Sequence, residues 1–409
     1  MGLMGLMRPM GHMGHMGPMR HMGLMGPMGL MGLMGLMGLG LMGLGLMGCS
    51  SGGGEDAAPF EEVEEPVKTI AFSSGLAEQG SVTRASGLEE DNVTSFTVWS
   101  FKNMSYDAGS YDGLQKVMDK YIVNWVENTA ATTTSNTHDW EYVGQGAGGN
   151  QTIKFWDFSS KAYRFFAVTG NDYVVNESEP GEPASVTLSF AGLDASDDSH
   201  IAAAPYYSKL WFSTGDPSVY PDKQFGQPVQ LEFVKPFARV RFMFTFADGF
   251  SFGRKELTEI SFKPTDNSKI YTKGVVEITY PLTGTSTKES WTSTPTADTP
   301  LEAFTIDYYQ ADDNYVPASE AADVYDNTPE KWYTVFPRVS QGSYTLSVVV
   351  VAYPAKKAVV PAEYMTWLPG YDYTYRFKIT ESGGVVFEVM QVGISDWKET
   401  KIEHPVYNW

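Results

Sequence analysis

The sequence contains a single cysteine, Cys49, among its 409 residues. A lone thiol excludes a disulfide within one chain, and it excludes the paired cysteines of zinc ribbons and redox motifs. Histidine is also scarce, because beyond Cys49 only His138, His200 and His404 occur, and they are widely separated. There is no HExxH motif and no glycine-rich phosphate loop. We therefore expect no catalytic site, no metal site and no enzymatic activity.

Positive charge is the second shortage. The 29 lysines and arginines are outnumbered by 49 aspartates and glutamates, and the formal net charge of −20 is spread along the chain without a basic block. Nucleic-acid binding depends on clustered basic residues that neutralise phosphates. The composition therefore argues against a nucleic-acid partner.

Three acidic groups suggest acid/base chemistry or a calcium site when each is considered alone. They are Asp139 beside His138, the cluster 194–198 and the cluster 312–314. All three lie in polar, loop-like sequence, and the last lacks the twelve-residue ligand pattern of an EF-hand. We interpret them as solvated loops.

Residues 1–48 form a low-complexity tract of methionine, glycine and leucine, which leads into Leu46-Met47-Gly48-Cys49 and a flexible polar stretch. This arrangement is typical of a lipobox, in which a peptidase cuts between Gly48 and Cys49 and the thiol then carries diacylglycerol. We predict that residues 1–48 are a lipoprotein signal peptide. The lipid on Cys49 is then the one covalent group that we expect.

The leader leaves alternatives open, because Met47 is bulkier than the residue usual at that position. A stray cysteine or a retained membrane anchor are the competing interpretations. The run 22–48 is long enough to span a bilayer, which takes about 20 apolar residues, but its frequent glycines weaken a permanent helix. Met19, followed by a basic pair, is an alternative start to Met1.

The mature chain is long enough for two domains with cores of their own. Loss of Arg8 and Arg20 with the leader changes the net charge from −20 to −22. Residues 49–66 carry glycine, alanine, proline and glutamate, which predicts a flexible acidic tether. We place an N-terminal domain at 67–226 and a C-terminal domain at 227–409.

From residue 67 onward, short β-branched and aromatic runs alternate with turn residues, as in β-strands. The run 238–246 is the clearest, because Val240, Phe242, Phe244 and Phe246 share one face of a period-two pattern. Further strands are predicted at 69–72, 96–101, 153–156, 163–168, 186–190, 229–233, 259–262, 274–280, 332–336, 344–353, 371–380 and 385–392.

Helix is the minority in this pattern. The stretch 113–121 is the one predicted helix of the first half, with a loop leading into a strand as the alternative. Many short strands joined by long polar loops favour antiparallel sandwiches over a parallel sheet. The predicted fold class is all-β.

The tryptophans divide into two groups. Trp99 and Trp156 lie in strand-like runs and have the pattern of core residues. Trp367 and Trp397 lie nearer to loops, and are the candidates for an exposed surface that stacks on sugars.

Taken in order, several runs resemble the fimbrillin family. In the first half they are 69–72 (TIAF), 82–85 (VTRA), 96–99 (FTVW), 140–142 (WEY), 153–157 (IKFWD) and 163–167 (YRFFA). In the second half they are 237–242 (FARVRF), 333–337 (YTVFP), 368–375 (LPGYDYTY) and 406–409 (VYNW). The resemblance spans nearly the whole mature chain, and it depends on the order of the runs, each of which is mainly a core pattern.

The resemblance implies a pilus subunit built from two transthyretin-like antiparallel β-sandwich domains in tandem. It implies export as a lipoprotein to the outer membrane and cell surface of a Gram-negative anaerobe. A protease would then cut between Arg84 and Ala85, releasing the lipidated leader and a first strand that includes residues 69–74. The groove would take a strand from another subunit, and the candidate donors are 385–389 and the tail 401–409.

Each implied step has an alternative. Arg84 could be an ordinary loop arginine, and Pro405 weakens the tail as a donor because it removes a main-chain donor. The subunit could belong to the shaft, the tip or the anchor of the fibre. The other functional interpretation is a monomeric surface lipoprotein that binds host or bacterial glycans or proteins.

Overall fold

The computed structural model describes residues 68–72, 94–126, 140–179, 183–246, 257–266, 268–296, 301, 303–306, 332–340, 342–350, 354–380 and 382–394. These residues belong to one compact unit, Glu64–Trp409. Almost all of their regular structure is β, so the all-β prediction is confirmed. One short helix, α1 (Asp198–Ala203), and a 3₁₀ turn at Ala362–Tyr364 complete it.

In chain order the strands are β1 (Ser95–Asp107), β2 (Ser110–Trp125), β3 (Trp140–Glu141), β4 (Ala162–Val168), β5 (Val174–Glu177), β6 (Ser185–Asp194), β7 (Tyr207–Ser208), β8 (Trp211–Ser213), β9 (Phe233–Val234), β10 (Ala238–Phe246), β11 (Leu257–Pro264), β12 (Lys273–Pro281), β13 (Ser290–Pro295), β14 (Phe304–Ile306), β15 (Tyr333–Val335), β16 (Tyr344–Val350), β17 (Lys356–Val360), β18 (Tyr371–Ile379) and β19 (Val385–Ile394).

The strands pair into four sheets. Sheet I has the order β3-β2-β1-β4-β7-β9, with β8 also paired to β4, and sheet II has the order β13-β12-β6-β5. Sheet III has the order β15-β10-β18-β19, and sheet IV has the order β14-β11-β16-β17. Within the described ranges the ladders are antiparallel except that of β10 with β18, which is parallel. The predicted predominance of antiparallel sheets is confirmed.

Three hydrophobic cores hold the sheets together. Core 1 combines apolar residues of sheets I and II, such as Phe166 and Ile278. Core 2 covers the other face of sheet I and includes Phe165. Core 3 combines residues of sheets III and IV, such as Val240 and Leu346. Sheet I is therefore covered on both faces.

Strand β4 shows why both faces of sheet I need a cover. All seven of its residues are buried. Because successive side chains of a strand point to opposite faces, Phe166 and Val168 enter core 1 while Tyr163 and Phe165 enter core 2. An uncovered face would expose a continuous aromatic surface to water.

The predicted helix at 113–121 is wrong, because these residues lie within β2. β2 pairs with β1 from Asn124 to Ser110, and the two strands meet in a tight turn. Gly113 (φ 63°) and Lys120 (φ 54°) have left-handed backbone conformations that interrupt a helix. Pairing with β1 thus overrides a weak local preference for helix.

The predicted buried face of β10 is confirmed at Val240, Phe242 and Phe244, which lie in core 3. The described residues on the opposite face of β10 are less exposed to solvent than the alternating sequence pattern indicates. Arg239 is also buried, because its guanidinium makes two hydrogen bonds to the Asp372 carboxylate, at 2.9 and 2.6 Å.

Arg164 is a fully buried cation on the core 1 side of β4. It donates hydrogen bonds to the Asn103 side chain and to the Gly284 carbonyl. Its guanidinium lies over the rings of Tyr111 (5.6 Å) and Phe212 (4.7 Å). Burial lowers its pKa to about 10, and the contacts attach the chain after β12 to sheet I.

Sheet II joins parts of the chain that are far apart in sequence. β6 pairs with β12 from Lys273↔Asp194 to Pro281↔Ser185. This ladder crosses the boundary that we place between residues 226 and 227. The division into domains 67–226 and 227–409 stays a prediction.

Gly274 provides a test of this packing. A Cβ there would collide with the Thr294 carbonyl oxygen and would lie 2.5 Å from Phe336 Cζ. We expect Gly274→Ala to lower the free energy of unfolding by about 1–3 kcal/mol because the site is overpacked. Urea denaturation measures the change. Gly393→Ala is the control, since its Cβ would meet nothing within 4 Å, and equal losses for both variants would contradict the packing described.

Candidate functional site

Residues 68–72 form an extended piece of chain in core 2 that belongs to none of the strand ladders, and it is called the docked segment below. Sequence analysis predicts strands at 69–72 and 153–156, and the structure forms an isolated antiparallel bridge between them, Thr69↔Phe155. Beside it, the Ile70 N–H donates to the Lys154 carbonyl at 2.8 Å. One side of the segment is therefore paired as in a sheet.

The main chain holds the segment at two further points. The Trp156 N–H donates to the Lys68 carbonyl at 2.9 Å. On the other side Phe72 forms a parallel bridge with Val229, whose N–H donates to the Ala71 carbonyl at 2.7 Å. The segment thus lies between two stretches of chain and bonds to both.

Side-chain burial adds to this attachment. Ile70 and Phe72 are 0% and 2% exposed and belong to core 2. The Phe72 ring makes edge-on contacts with Phe96 (5.7 Å), Tyr142 (6.1 Å) and Phe165 (6.2 Å). Edge-on geometry is favourable for aromatic pairs, so the segment completes the aromatic cover of sheet I.

The Tyr142 hydroxyl lies at the contact between the segment and its neighbour. It donates to the Ile70 carbonyl at 2.8 Å and accepts from the Lys154 N–H at 3.0 Å. Burial raises the pKa of this hydroxyl above its ordinary value, so it remains a hydrogen-bond donor in alkaline solution as well as at neutral pH.

Two buried polar side chains fix the position of Tyr142. The Glu141 carboxylate accepts from the N–H groups of Tyr142 (2.8 Å) and Val143 (2.7 Å). The Gln151 amide donates to the Tyr142 carbonyl at 2.9 Å, and also bonds the N–H and the carbonyl of Ile122 in β2, each at 2.8 Å. Gln151 therefore takes the place of a neighbouring strand on this part of β2.

The site residues predicted from sequence lie outside the described residues. These are the lipidation and signal-peptidase positions Cys49 and Gly48, and the cleavage positions Arg84 and Ala85. The sequence analysis missed Tyr142 and Gln151 as functional residues. It included Tyr142 in the motif WEY, but a motif of core residues carries no signal for a specific hydrogen bond.

The interpretation of the acidic cluster 194–198 as a solvated loop is wrong at Asp194, which ends β6 and is buried, whereas Asp197 and Asp198 are exposed. Asp194 accepts from Ser196 and pairs with Lys273 Nζ at 2.9 Å. Asp197 caps α1 by accepting from the Ser199 N–H at 2.9 Å. The described part of the chain contains no group of three or more histidine, cysteine, aspartate or glutamate side chains that could hold a metal. Asp139, His138 and the cluster 312–314 lie outside it.

Three of the four tryptophans singled out from the sequence pack the cores. Trp99 and Trp156 are buried, which confirms their interpretation as core residues. Trp367 is wrong as a candidate for sugar stacking, because it is 1% exposed and its indole N–H donates to the Tyr375 hydroxyl at 2.8 Å. Trp397 lies outside the described residues.

The two predicted donor segments differ. Residues 385–389 belong to β19, which pairs with β18 from Ile379↔Val385 to Tyr371↔Ile394. Val385 is buried in core 3, so this segment is engaged within its own sheet. The tail 401–409 lies outside the described residues.

Among the residues that the structure describes, no helix is long and apolar enough to cross a membrane. The expectations of no enzymatic activity and of no cofactor beyond the lipid on Cys49 stay predictions.

Phe72 tests the attachment of the docked segment. We expect Phe72→Ala to cost up to about 3–5 kcal/mol, the range for truncating a buried phenylalanine. Hydrogen exchange at the Val229 N–H should accelerate, because this group bonds to the segment. Phe158→Ala is the control, since Phe158 is 49% exposed. Unchanged exchange at Val229 in the Phe72 variant would show that the side chain does not hold the segment.

Asp157, directly after Trp156, gives the stability of the fold a pH dependence. Its carboxylate pairs with Lys102 Nζ at 2.5 Å and accepts from Ser159, and these contacts lower its pKa to about 2. The charged form therefore stabilises the fold above pH 4, near the unfolded pKa of about 3.9. This stability is lost as the pH falls from about 4 to 2.

We expect Asp157→Asn to cost about 1 kcal/mol at pH 7, because solvent screens this partly exposed pair. The cost should fall to a small remainder by pH 2, where about half of the wild-type carboxyl is protonated. Urea denaturation at both pH values measures it, and Asp119→Asn is a control at a more exposed pair (48%). A cost independent of pH would contradict the assignment.

No protein-family model and no curated protein shows a significant match to the sequence. Solved structures show partial similarity. A fimbrial protein from Bacteroides vulgatus is 12% identical with a TM-score of 0.36, over 80% of this chain and 99% of that one. A candidate cell adhesion protein from Bacteroides uniformis is 10% identical with a TM-score of 0.33, over 81% and 98%.

A candidate adhesin from Bacteroides thetaiotaomicron is 11% identical with a TM-score of 0.27, over 82% of this chain and 98% of that one.

Proposed function

We propose that the chain is a subunit of an adhesive surface fibre, exported as a lipoprotein through Cys49 and assembled by strand exchange. In this proposal a protease cuts between Arg84 and Ala85. The docked segment then leaves core 2, and an extended strand of another subunit takes its place. The fibre is the final location, and the lipid serves for delivery to the outer membrane.

The observation that carries the proposal is that residues 68–72 are buried in core 2 without belonging to any strand ladder. In sequence, Arg84 lies between Phe72 and Thr94, where β1 is about to begin. A cut there would leave the segment attached to the domain only by non-covalent contacts. Its departure would expose the Lys154 carbonyl and the N–H of Val229, which are the groups that a new strand can bond.

The free energy of the contacts that hold the docked segment is compatible with strand exchange. Burial of Ile70 and Phe72 is worth about 1.5–3 kcal/mol each, and each of the four hydrogen bonds to the segment adds about 0.5–1.5 kcal/mol. The total is about 5–12 kcal/mol, which is comparable with the cost of about 4–15 kcal/mol for holding a separate fragment. The intact chain does not incur this cost, so cutting converts a fixed segment into an exchangeable one.

The same balance explains why an empty groove would not persist. Without an occupant, the rings around Phe72 and the main-chain groups beside it would lose their partners, and buried polar groups without partners are costly. A strand with alternating apolar side chains restores both kinds of contact. A second copy of the chain is the partner that fibre growth requires.

Limited proteolysis tests the proposal. We expect a trypsin-like protease to convert the purified mature chain into a form that begins at Ala85 and grows into ladders or filaments. Mass spectrometry identifies the new N-terminus, and electron microscopy detects the filaments. In the producing cells, fibre subunits should begin at Ala85 and precursor at a lipidated Cys49.

Arg84→Ala should block both the cut and the growth, whereas the neighbouring change Thr83→Ala should leave the arginine cleavable. If the cut form keeps residues 68–72 and stays monomeric, strand exchange is wrong. If the cut unfolds the domain and no oligomer appears, the proposal also fails.

A further inference from the structure

We infer that Tyr142 is a specificity-determining residue of the groove: its hydroxyl selects an incoming strand that presents a main-chain carbonyl at the position of Ile70. This inference rests on the proposed strand exchange and deepens it, because it names a group that excludes an occupant shifted by one residue. The occupant is an extended peptide with large apolar side chains two residues apart.

Geometry supports a recognition role. The hydroxyl has one proton, which it donates to the Ile70 carbonyl at 2.8 Å, while it accepts from the Lys154 N–H at 3.0 Å. The Lys154 carbonyl lies 3.4 Å from the hydroxyl, and it already accepts from the Ile70 N–H at 2.8 Å. The Ile70 carbonyl is thus the better placed of the two acceptors.

The surroundings hold the hydroxyl in place. Tyr142 is fully buried, and its backbone N–H and carbonyl are bonded to Glu141 and Gln151. Its ring contacts Phe72 at 6.1 Å and Tyr121 at 5.9 Å. A ring restrained at both its backbone and its faces cannot follow a strand that slips along the groove.

A slip by one residue would therefore incur two penalties. It would move the carbonyl away from the hydroxyl, and it would turn the apolar side chains to the opposite face. The side-chain penalty applies to any strand groove. The hydroxyl adds a preference for one position of the occupant's main-chain carbonyl. This preference can be measured separately from the side-chain penalty.

The selection of the main-chain carbonyl by the Tyr142 hydroxyl is measured by peptide binding to the chain cut after Arg84. One peptide carries the sequence of residues 67–74, and a second carries an ester in place of the amide between Ile70 and Ala71, which makes the Ile70 carbonyl a weaker acceptor. We expect the wild-type chain to bind the ester about fivefold to tenfold more weakly. In Tyr142→Phe the amide peptide should weaken by a similar factor, and the amide-to-ester ratio should fall towards the contribution of the lost Ala71 N–H.

Tyr163→Phe is the matched control. It also removes a buried hydroxyl from core 2, but that hydroxyl accepts from the Asp157 N–H at 2.8 Å and not from the segment. This variant should keep the full amide-to-ester ratio. Equal ratios in wild type, Tyr142→Phe and Tyr163→Phe would overturn the inference while leaving strand exchange intact.

The uncut chain provides a second measurement that does not depend on strand exchange. Hydrogen exchange at the Ile70 and Val229 N–H groups should be several-fold faster in Tyr142→Phe than in Tyr163→Phe. Equal rates would overturn the role of the hydroxyl. If no peptide binds to the cut chain, the proposed exchange fails, whatever the result in the uncut chain.

Discussion

The burial of β4 on both faces is the constraint on which the rest of the structure depends. A central strand with aromatic side chains on each side needs two hydrophobic covers, and sheet II supplies only one of them. The second cover is assembled from loops, from the stretch around Val229 and from the docked segment. A piece of chain that does not belong to any strand ladder thus becomes part of the core.

Much of the fold follows from sequence periodicity. β10 alternates apolar and polar residues, and its bounds agree with the prediction of 238–246. A run of aromatic and β-branched residues predicts β4, although the run alone does not tell which core receives which side chain. The helix predicted at 113–121 is wrong, because these residues form a strand by pairing with β1. A local sequence pattern contains no information about that pairing.

The candidate site was less predictable than the fold. The sequence run TIAF predicts an extended apolar segment, and the structure places Ile70 and Phe72 in core 2. Its partners come from residues 154–156 and 229, which only the tertiary structure brings together. The roles of Tyr142 and Gln151 depend on single hydrogen bonds between distant positions, and residue type alone does not specify these.

The ladder between β6 and β12 also has a consequence for the order of folding. Sheet II cannot form until the chain as far as Pro281 is available, because Pro281 pairs with Ser185. Contacts between distant residues slow folding, since loop-closure entropy must be lost before the contacts form. A chain synthesised from its N-terminus would therefore hold β6 without its β12 partner until residues 273–281 follow.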